Sequence, residues 1–328
     1  MKVGKSFRIR SSTPILNIKD FSKHFYKDPE IDRLTKESFL YFIVQRPIHS
    51  FENIQQQGNN LIFDIEQKTN ESKLKIKLPL YQEGIFTKEV NDFIIEFQSD
   101  FDKIINDNDR PVNVHSIKLY KDDLKKENFV KLLTPEWIIR DYYTDTQKME
   151  VEGDITNFLT YKVHYIGIST KQEIKKRVKS HSSLQSILSE IESLVGTVMN
   201  SIELGVIFLE LQGSSQYNMF TSADLANEQN INQFVDALTR NAIESDKTIF
   251  KDAEKAFVSA LTTHYNEIKY ITYPQKHDLL NDKNLTFITY EFNDPLNLIF
   301  ENMNFNSANG DLIIVTQENK AQIIKFQK

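Results

Sequence analysis

The stretch Phe158-Leu159-Thr160-Tyr161-Lys162-Val163-His164-Tyr165-Ile166-Gly167-Ile168 constrains this chain more than any other. Aromatic and β-branched residues suit a pleated, half-buried surface, so the run predicts a strand. One residue breaks the pattern. Glycine inside a strand costs stability and marks a bulge or a close approach, and this chain is sparing with it, using nine in 328 residues. Gly167 therefore sits where geometry selects it, either for tight helix–strand packing or for a neighbour that needs the room. The strand ends at Ser169-Thr170. Thr170 with Glu173 fits a capping box, which opens a helix. Ile174, Val178, His181, Leu184, Leu188, Ile191 and Leu194 then recur at helical spacing.

Elsewhere the pattern is mixed α+β. Leu61–Ile65 and Lys73–Leu78 read as strands, the second by strict alternation. Thr87 to about Ile105 reads as an amphipathic helix, with Val90, Phe93, Ile94, Phe97 and Phe101 on one stripe. Asn106–Pro111 is a turn, and Pro135 opens a short helix through Trp137 and Ile139. Val206–Leu211 returns as a buried strand, a helix follows over Ile249–Thr263, and Leu285–Phe292 and Asp311–Val315 close the chain as strands. Three regions are expected: an N-terminal α+β domain at 1–145, a mixed sheet flanked by helices at 146–270, and a β-rich extension at 271–328.

Composition removes several chemistries. Without cysteine there is no disulfide, thiolate zinc site, cysteine nucleophile or iron–sulfur cluster. The seven histidines lie at 24, 49, 115, 164, 181, 264 and 277, without metal-ligand spacing. Neither a Gly-rich phosphate loop nor a His-Glu-x-x-His nor a Gly-x-Ser-x-Gly elbow is present. The basic start lacks an apolar signal core, and the densest apolar run, Phe39–Val44, is far too short to cross a membrane. A cytoplasmic protein without membrane partners is expected.

Charge is uneven. The formal net charge is −6, and residues 201–328 hold 10 basic against 17 acidic side chains. Lys171, Lys175, Lys176, Arg177 and Lys179 oppose only Glu173, a local excess of 5 − 1 = +4. Such a run is either a solvated helix face or a patch that attracts phosphates.

Individual residues carry two readings each. Tyr165 is a half-buried strand aromatic, or it positions a water for attack on a phosphodiester. Arg177 is a surface cation, or its planar guanidinium stabilises charge spreading over a phosphate in transit. His181, four residues on, shares that helix side and also suits a core histidine. Glu254 lies between Phe250 and Phe257 at the edge of a buried stripe. A carboxylate there is paired with Arg177 or a lysine, or holds a divalent cation. Asn266 caps a turn, or orients substrate or Glu254. Strand alternation places Tyr161, Val163, Tyr165 and Gly167 on one face, with Tyr161 and Tyr165 about 13 Å apart at ~3.3 Å per residue.

Taken in order, Tyr165-Ile166-Gly167, Ser169, Arg177, His181, Glu254 and Asn266 resemble the GIY-YIG nuclease family over residues 145–270. The family's Gly-Ile-Tyr tripeptide, due ten to twenty residues before Tyr165, is missing; Gly153 is followed by Asp154-Ile155. Tyr142, Tyr143 and Tyr161 are the candidates to stand in for its tyrosine. The resemblance implies a metal-dependent endonuclease acting on nucleic acid, with DNA favoured over RNA, in phage defence or a mobile element. It implies catalytic roles for Tyr165, Arg177, His181, Glu254 and Tyr161. It implies substrate contacts from Gly167, Ser169, Lys175, Lys176 and Asn266, and Mg²⁺ or Mn²⁺ on Glu254. The alternative is an inactive member that binds nucleic acid, or a protein partner through the N-terminal domain or the acidic C-terminal third.

Overall fold

Two β-sheets divide the chain between them. The computed structural model describes residues 2–18, 27–69, 72–87, 90, 92–99, 113–179, 184, 186, 187, 189, 201–219, 245–282, 285–301, 303–318 and 320–326. The first strands are β1 (Lys2–Ser11), β2 (Leu16–Asn17) and β3 (Leu40–Pro47), with helix α1 (Pro29–Thr35) between β2 and β3. Next come β4 (His49–Gln57), β5 (Asn60–Gln67), β6 (Lys73–Pro79), β7 (Phe93–Ser99), β8 (Val114–Lys121) and β9 (Phe129–Leu133). Helix α2 (Pro135–Tyr143) and β10 (Glu150–Glu152) complete that stretch. Strand β11 (Thr160–Ile168), helix α3 (Ile174–Lys179), β12 (Ile202–Met219) and helix α4 (Asp246–Ala260) follow. The chain closes with α5 (Leu279–Asp282), β13 (Phe287–Phe292), β14 (Asn297–Ile299), β15 (Asn304–Asn306), β16 (Leu312–Thr316) and β17 (Lys320–Ile324).

The chain is mixed α+β, but its units are not the three consecutive stretches expected from sequence. One unit comprises residues 1–45, 160–194 and 204–328; the other comprises 46–159 and 195–203. Residues 1–45 belong with the C-terminal strands because β1 runs parallel to β13, pairing Gly4 with Phe287 through Ile9 with Phe292. Pairing over nearly 300 residues leaves no trace in local periodicity. The first unit's sheet has the order β15-β14-β11-β3-β12-β1-β13-β16-β17, with β2 added to β12. It is mixed, since β11 runs antiparallel to β3 and parallel to β14. Strand β3 lies between β11 and β12 with Leu40–Val44 all fully buried, which is why those residues read as one apolar run. Helix α4 packs on β11. Its Phe257 meets Phe42 edge-on at 6.0 Å between ring centroids, and its Phe250 meets Phe39 at 6.0 Å.

The second unit carries the sheet β10-β6-β5-β4-β8-β7, with β9 on β8 and helix α2 against β4. Here the helix expected over Thr87–Ile105 is corrected: Phe93–Ser99 is strand β7, paired with β8 from Phe93–Lys121 onward. The mixture of Phe93, Ile94 and Phe97 fits both periods, and ladder hydrogen bonds to β8 decide in favour of the strand. Residues 100–112, including the expected turn, lie outside the described residues. Within this unit Arg46 is buried between two carboxylates, bonding Glu136 Oε1 at 2.6 Å and also Glu203, while its Nη1 lies 2.8 Å from His49 Nδ1. Burial pushes the His49 imidazole down to about 4, and Arg46 adds to the effect. Burial opposes ionising Glu136, but Arg46 and His49 outweigh it and hold that carboxyl below the usual carboxylate range.

Candidate active site

The strand that ends in Gly167 is not regular. Val163 pairs with Val44, yet Tyr165 pairs with Ile43, so two residues of β11 oppose one step of β3 at His164. That is a β-bulge, and it shifts the alternation of every residue after it. Residues opposite one another in a ladder share a face. Tyr165 opposes Ile43 and Gly167 opposes Tyr41, so all four lie on one face. Tyr161 and Val163 precede the bulge and lie on the other. The expected common face for Tyr161 and Tyr165 is thereby corrected, and Tyr161, 5% exposed, is separated from Tyr165 by the sheet itself.

Tyr41 takes the place beside Tyr165. The two rings lie 6.0 Å apart at an interplanar angle of 38°. Gly167 makes this possible. A Cβ built on it would fall 2.5 Å from Cε1 of Tyr165 and 2.8 Å from both Cζ and the hydroxyl of Tyr41. The glycine that propensity did not explain is room for two phenols. The tyrosine beside Tyr165 is not the one expected ten to twenty residues upstream but Tyr41, more than a hundred residues away in sequence. The available signal was Phe39–Val44, whose unbroken apolar character marks a central strand that carries a tyrosine.

Two ionisable groups face this pair electrostatically. Arg177, half-buried on α3, acts on both phenol hydroxyls by charge and hydrogen bonding. Glu254, half-buried on α4, acts on both in the opposite sense. Burial raises the Tyr41 hydroxyl well above the ordinary phenol range; Tyr165 and Glu254 add to the rise, and Arg177 counters it. Burial, then the Glu254 charge, raises Tyr165 as well. Both phenols are therefore neutral hydrogen-bonding groups near pH 7. Glu254 is pushed up to about 7 by burial, against the pull of Tyr270, Arg177 and Lys255.

Tyr270 is a second residue that sequence reasoning did not single out. Its hydroxyl lies 3.4 Å from Glu254 Oε2, and burial and the Glu254 charge push that hydroxyl up to about 12. Its backbone has φ 46°. A bulky residue in the left-handed region is an outlier that surrounding structure must enforce.

The remaining candidates are placed as follows. Asn266 is buried and its amide is used on the backbone of Ile166, accepting from its N–H at 2.9 Å and donating to its carbonyl at 2.8 Å. Thr263 Oγ1 also donates to it at 2.6 Å. Asn266 thus bonds the β11 backbone at Ile166, past the Thr160–Lys162 stretch that β14 pairs. Ser169 is buried, its N–H bonding Phe39 and its hydroxyl donating to the Gln172 carbonyl at 2.7 Å. Lys175 is buried and ion-paired with Asp32 of α1, whereas exposed Lys176 pairs with Glu173 at 3.2 Å. Helix α3 begins at Ile174, three residues later than a cap at Thr170 predicts. His181 lies outside the described residues.

Among the described residues no group of three or more His, Asp or Glu side chains gathers to hold a metal ion. Glu254 offers a carboxylate with the Tyr270 hydroxyl 3.4 Å away, hard-oxygen donors of the kind that Mg²⁺ or Mn²⁺ takes together with water and a phosphate. None of the described helices is long and apolar enough to cross a membrane. Comparison with protein-family models, curated proteins and solved structures finds no match to this chain.

Proposed function

We propose that this protein is a metal-dependent endonuclease of the GIY-YIG type, hydrolysing phosphodiester bonds of nucleic acid, in a cytoplasmic setting such as phage defence or a mobile element. One observation carries the reading. Two tyrosines on adjacent antiparallel strands flank Gly167 and share the fields of one arginine and one glutamate. In this reading the missing Gly-Ile-Tyr tyrosine is Tyr41, and residues 46–159 form an insertion between the first two strands of the nuclease sheet.

The chain's own groups divide the work. A water held by the Tyr165 hydroxyl is aimed at phosphorus, with Tyr41 as its neighbouring hydrogen-bond partner. Because both phenols are neutral, they orient the water rather than act as phenolate bases; as its oxygen bonds to phosphorus and the P–O3′ bond breaks, its proton passes through solvent to the departing 3′ oxygen. Arg177 lies where negative charge grows on the phosphoryl oxygens and offsets it. Glu254 would hold one Mg²⁺ or Mn²⁺, which supplies Lewis-acid stabilisation to the departing 3′ oxygen.

The test is an incubation of purified protein with supercoiled DNA and a parallel RNA substrate, with Mg²⁺, Mn²⁺ or EDTA. Metal-dependent nicking is expected, with DNA cut faster. A gel shift without nicking selects the binding-module reading instead, and neither nicking nor shift rejects a nucleic-acid function.

A further inference from the structure

Ile268 and Ile271, 65% and 75% exposed, are the most exposed large apolar side chains among the described residues. They flank Tyr270, whose hydroxyl reaches Glu254. The segment bearing them is fastened to the elements that build the site. Asn266 ties one end to Ile166 of β11 by two hydrogen bonds. Tyr273 ties the other to Asp252 of α4 at 2.6 Å, two residues before Glu254. Between these anchors the Tyr273 N–H donates to the Tyr270 carbonyl at 3.0 Å, and Lys320 Nζ donates to the Ile271 carbonyl at 3.1 Å. A single exposed isoleucine needs no explanation. Two on one anchored turn beside a charged site are a contact surface prepared in advance, with little conformational freedom left to lose on binding.

We propose that Ile268 and Ile271 form an apolar wedge for unstacked bases next to the scissile phosphate, so that the substrate is nucleic acid with a distorted or unpaired step. The inference rests on the nuclease reading. A strand whose phosphate meets Arg177 and Glu254 presents its neighbouring nucleotides to this turn. Base faces are the apolar part of that strand, and aliphatic side chains enter between base steps only where stacking is given up. Charge on the segment agrees: residues 263–277 contain Lys269 and Lys276 against Glu267, inside a C-terminal third that is otherwise acidic. Lys276 is exposed and suits a phosphate beside an opened step, while the Lys269 ammonium is bonded to the Thr263 carbonyl.

The experiment measures fluorescence anisotropy in EDTA, so that binding is read without cleavage. The probes are an end-labelled duplex, the same duplex with a central three-nucleotide bulge, and the single strand. The wild type is expected to bind the bulged duplex roughly tenfold tighter than the paired one. The double variant Ile268→Ser/Ile271→Ser should bring the two within about twofold while leaving paired-duplex binding, which is driven by phosphates, nearly unchanged. Ile271→Leu should keep the preference. An unchanged preference in the double variant overturns the wedge. So does a loss of preference that tracks a change from dimer to monomer in sedimentation, because the turn would then bind a second copy of the chain. A wild type that nicks DNA without preferring the bulge overturns the wedge and leaves the nuclease reading standing. One that neither nicks nor binds any probe overturns both.

Discussion

Gly167 stands directly across the antiparallel ladder from Tyr41, and a methyl group on it would lie 2.8 Å from the Tyr41 hydroxyl. The obstruction involves ring atoms rather than backbone, so the tyrosines would have to turn aside. Gly167→Ala is therefore expected to cost only about 1–2 kcal/mol of stability, yet to lower the cleavage rate at least tenfold. Urea denaturation beside single-turnover cleavage checks this. A large stability loss with proportionate loss of activity would make Gly167 a packing residue only.

The bulge at His164 separates two tyrosines that sequence alternation had placed together. Tyr41→Phe removes a hydroxyl beside Tyr165 and is expected to slow cleavage about a hundredfold, in the range of a lost acid–base group. Tyr161→Phe, on the opposite face, should cleave within about twofold of wild type. The comparison is internal, since each variant removes one phenolic oxygen from a neighbouring strand. Equal effects would contradict the face assignment.

How much of this was legible in the sequence differs from residue to residue. Gly167 was, because a glycine among aromatic and β-branched residues has no local reason to be there. Glu254 was, because its spacing from Phe250 and Phe257 places a carboxylate at the edge of a buried stripe. Tyr41 was not. Its role depends on β3 pairing with β11 across residues 46–159, and pairing at that separation is fixed by tertiary packing rather than by pattern. Tyr161 was misplaced because alternation holds only until a bulge, and a bulge is a property of two strands together. Asn266 was legible as a residue worth noticing, but only its two bonds to Ile166 show that its amide is spent on backbone.

Asp252 is the buried residue through which helix α4 is tied to its surroundings. It accepts from the Tyr273 and Tyr290 hydroxyls at 2.6 Å each and from the Leu279 N–H at 3.0 Å. Asp252→Ala strands three donors in the core, at a cost of about 3 kcal/mol or more. A depressed melting temperature is expected, with Tyr273→Phe and Tyr290→Phe each milder. A melting temperature unchanged by Asp252→Ala would show that those donors find other acceptors.

His49 makes the second unit sensitive to acid. Its ordinary value is 6.5 and its folded value about 4, so the unfolded chain takes up the proton first. The stability this contributes is fully present above pH 6.5 and is lost as pH falls toward 4, up to roughly 3 kcal/mol. Glu136, held below its usual range, adds loss only at lower pH. In urea titrations between pH 7 and 4, His49→Gln should show a shallower decline than wild type. Equal slopes in both proteins would contradict the assignment of that proton to His49.

In the proposed nuclease, Glu254 works with Tyr41, Tyr165 and Arg177 in one hydrolytic site. The most direct measurement is the rate of supercoiled-plasmid nicking by wild type and Glu254→Ala, at equal protein and saturating Mg²⁺. Metal-dependent nicking by wild type is expected, with a loss of about a thousandfold or more in the variant, since the cation and its charge stabilisation leave together. Nicking by a correctly folded Glu254→Ala protein at the wild-type rate would contradict it.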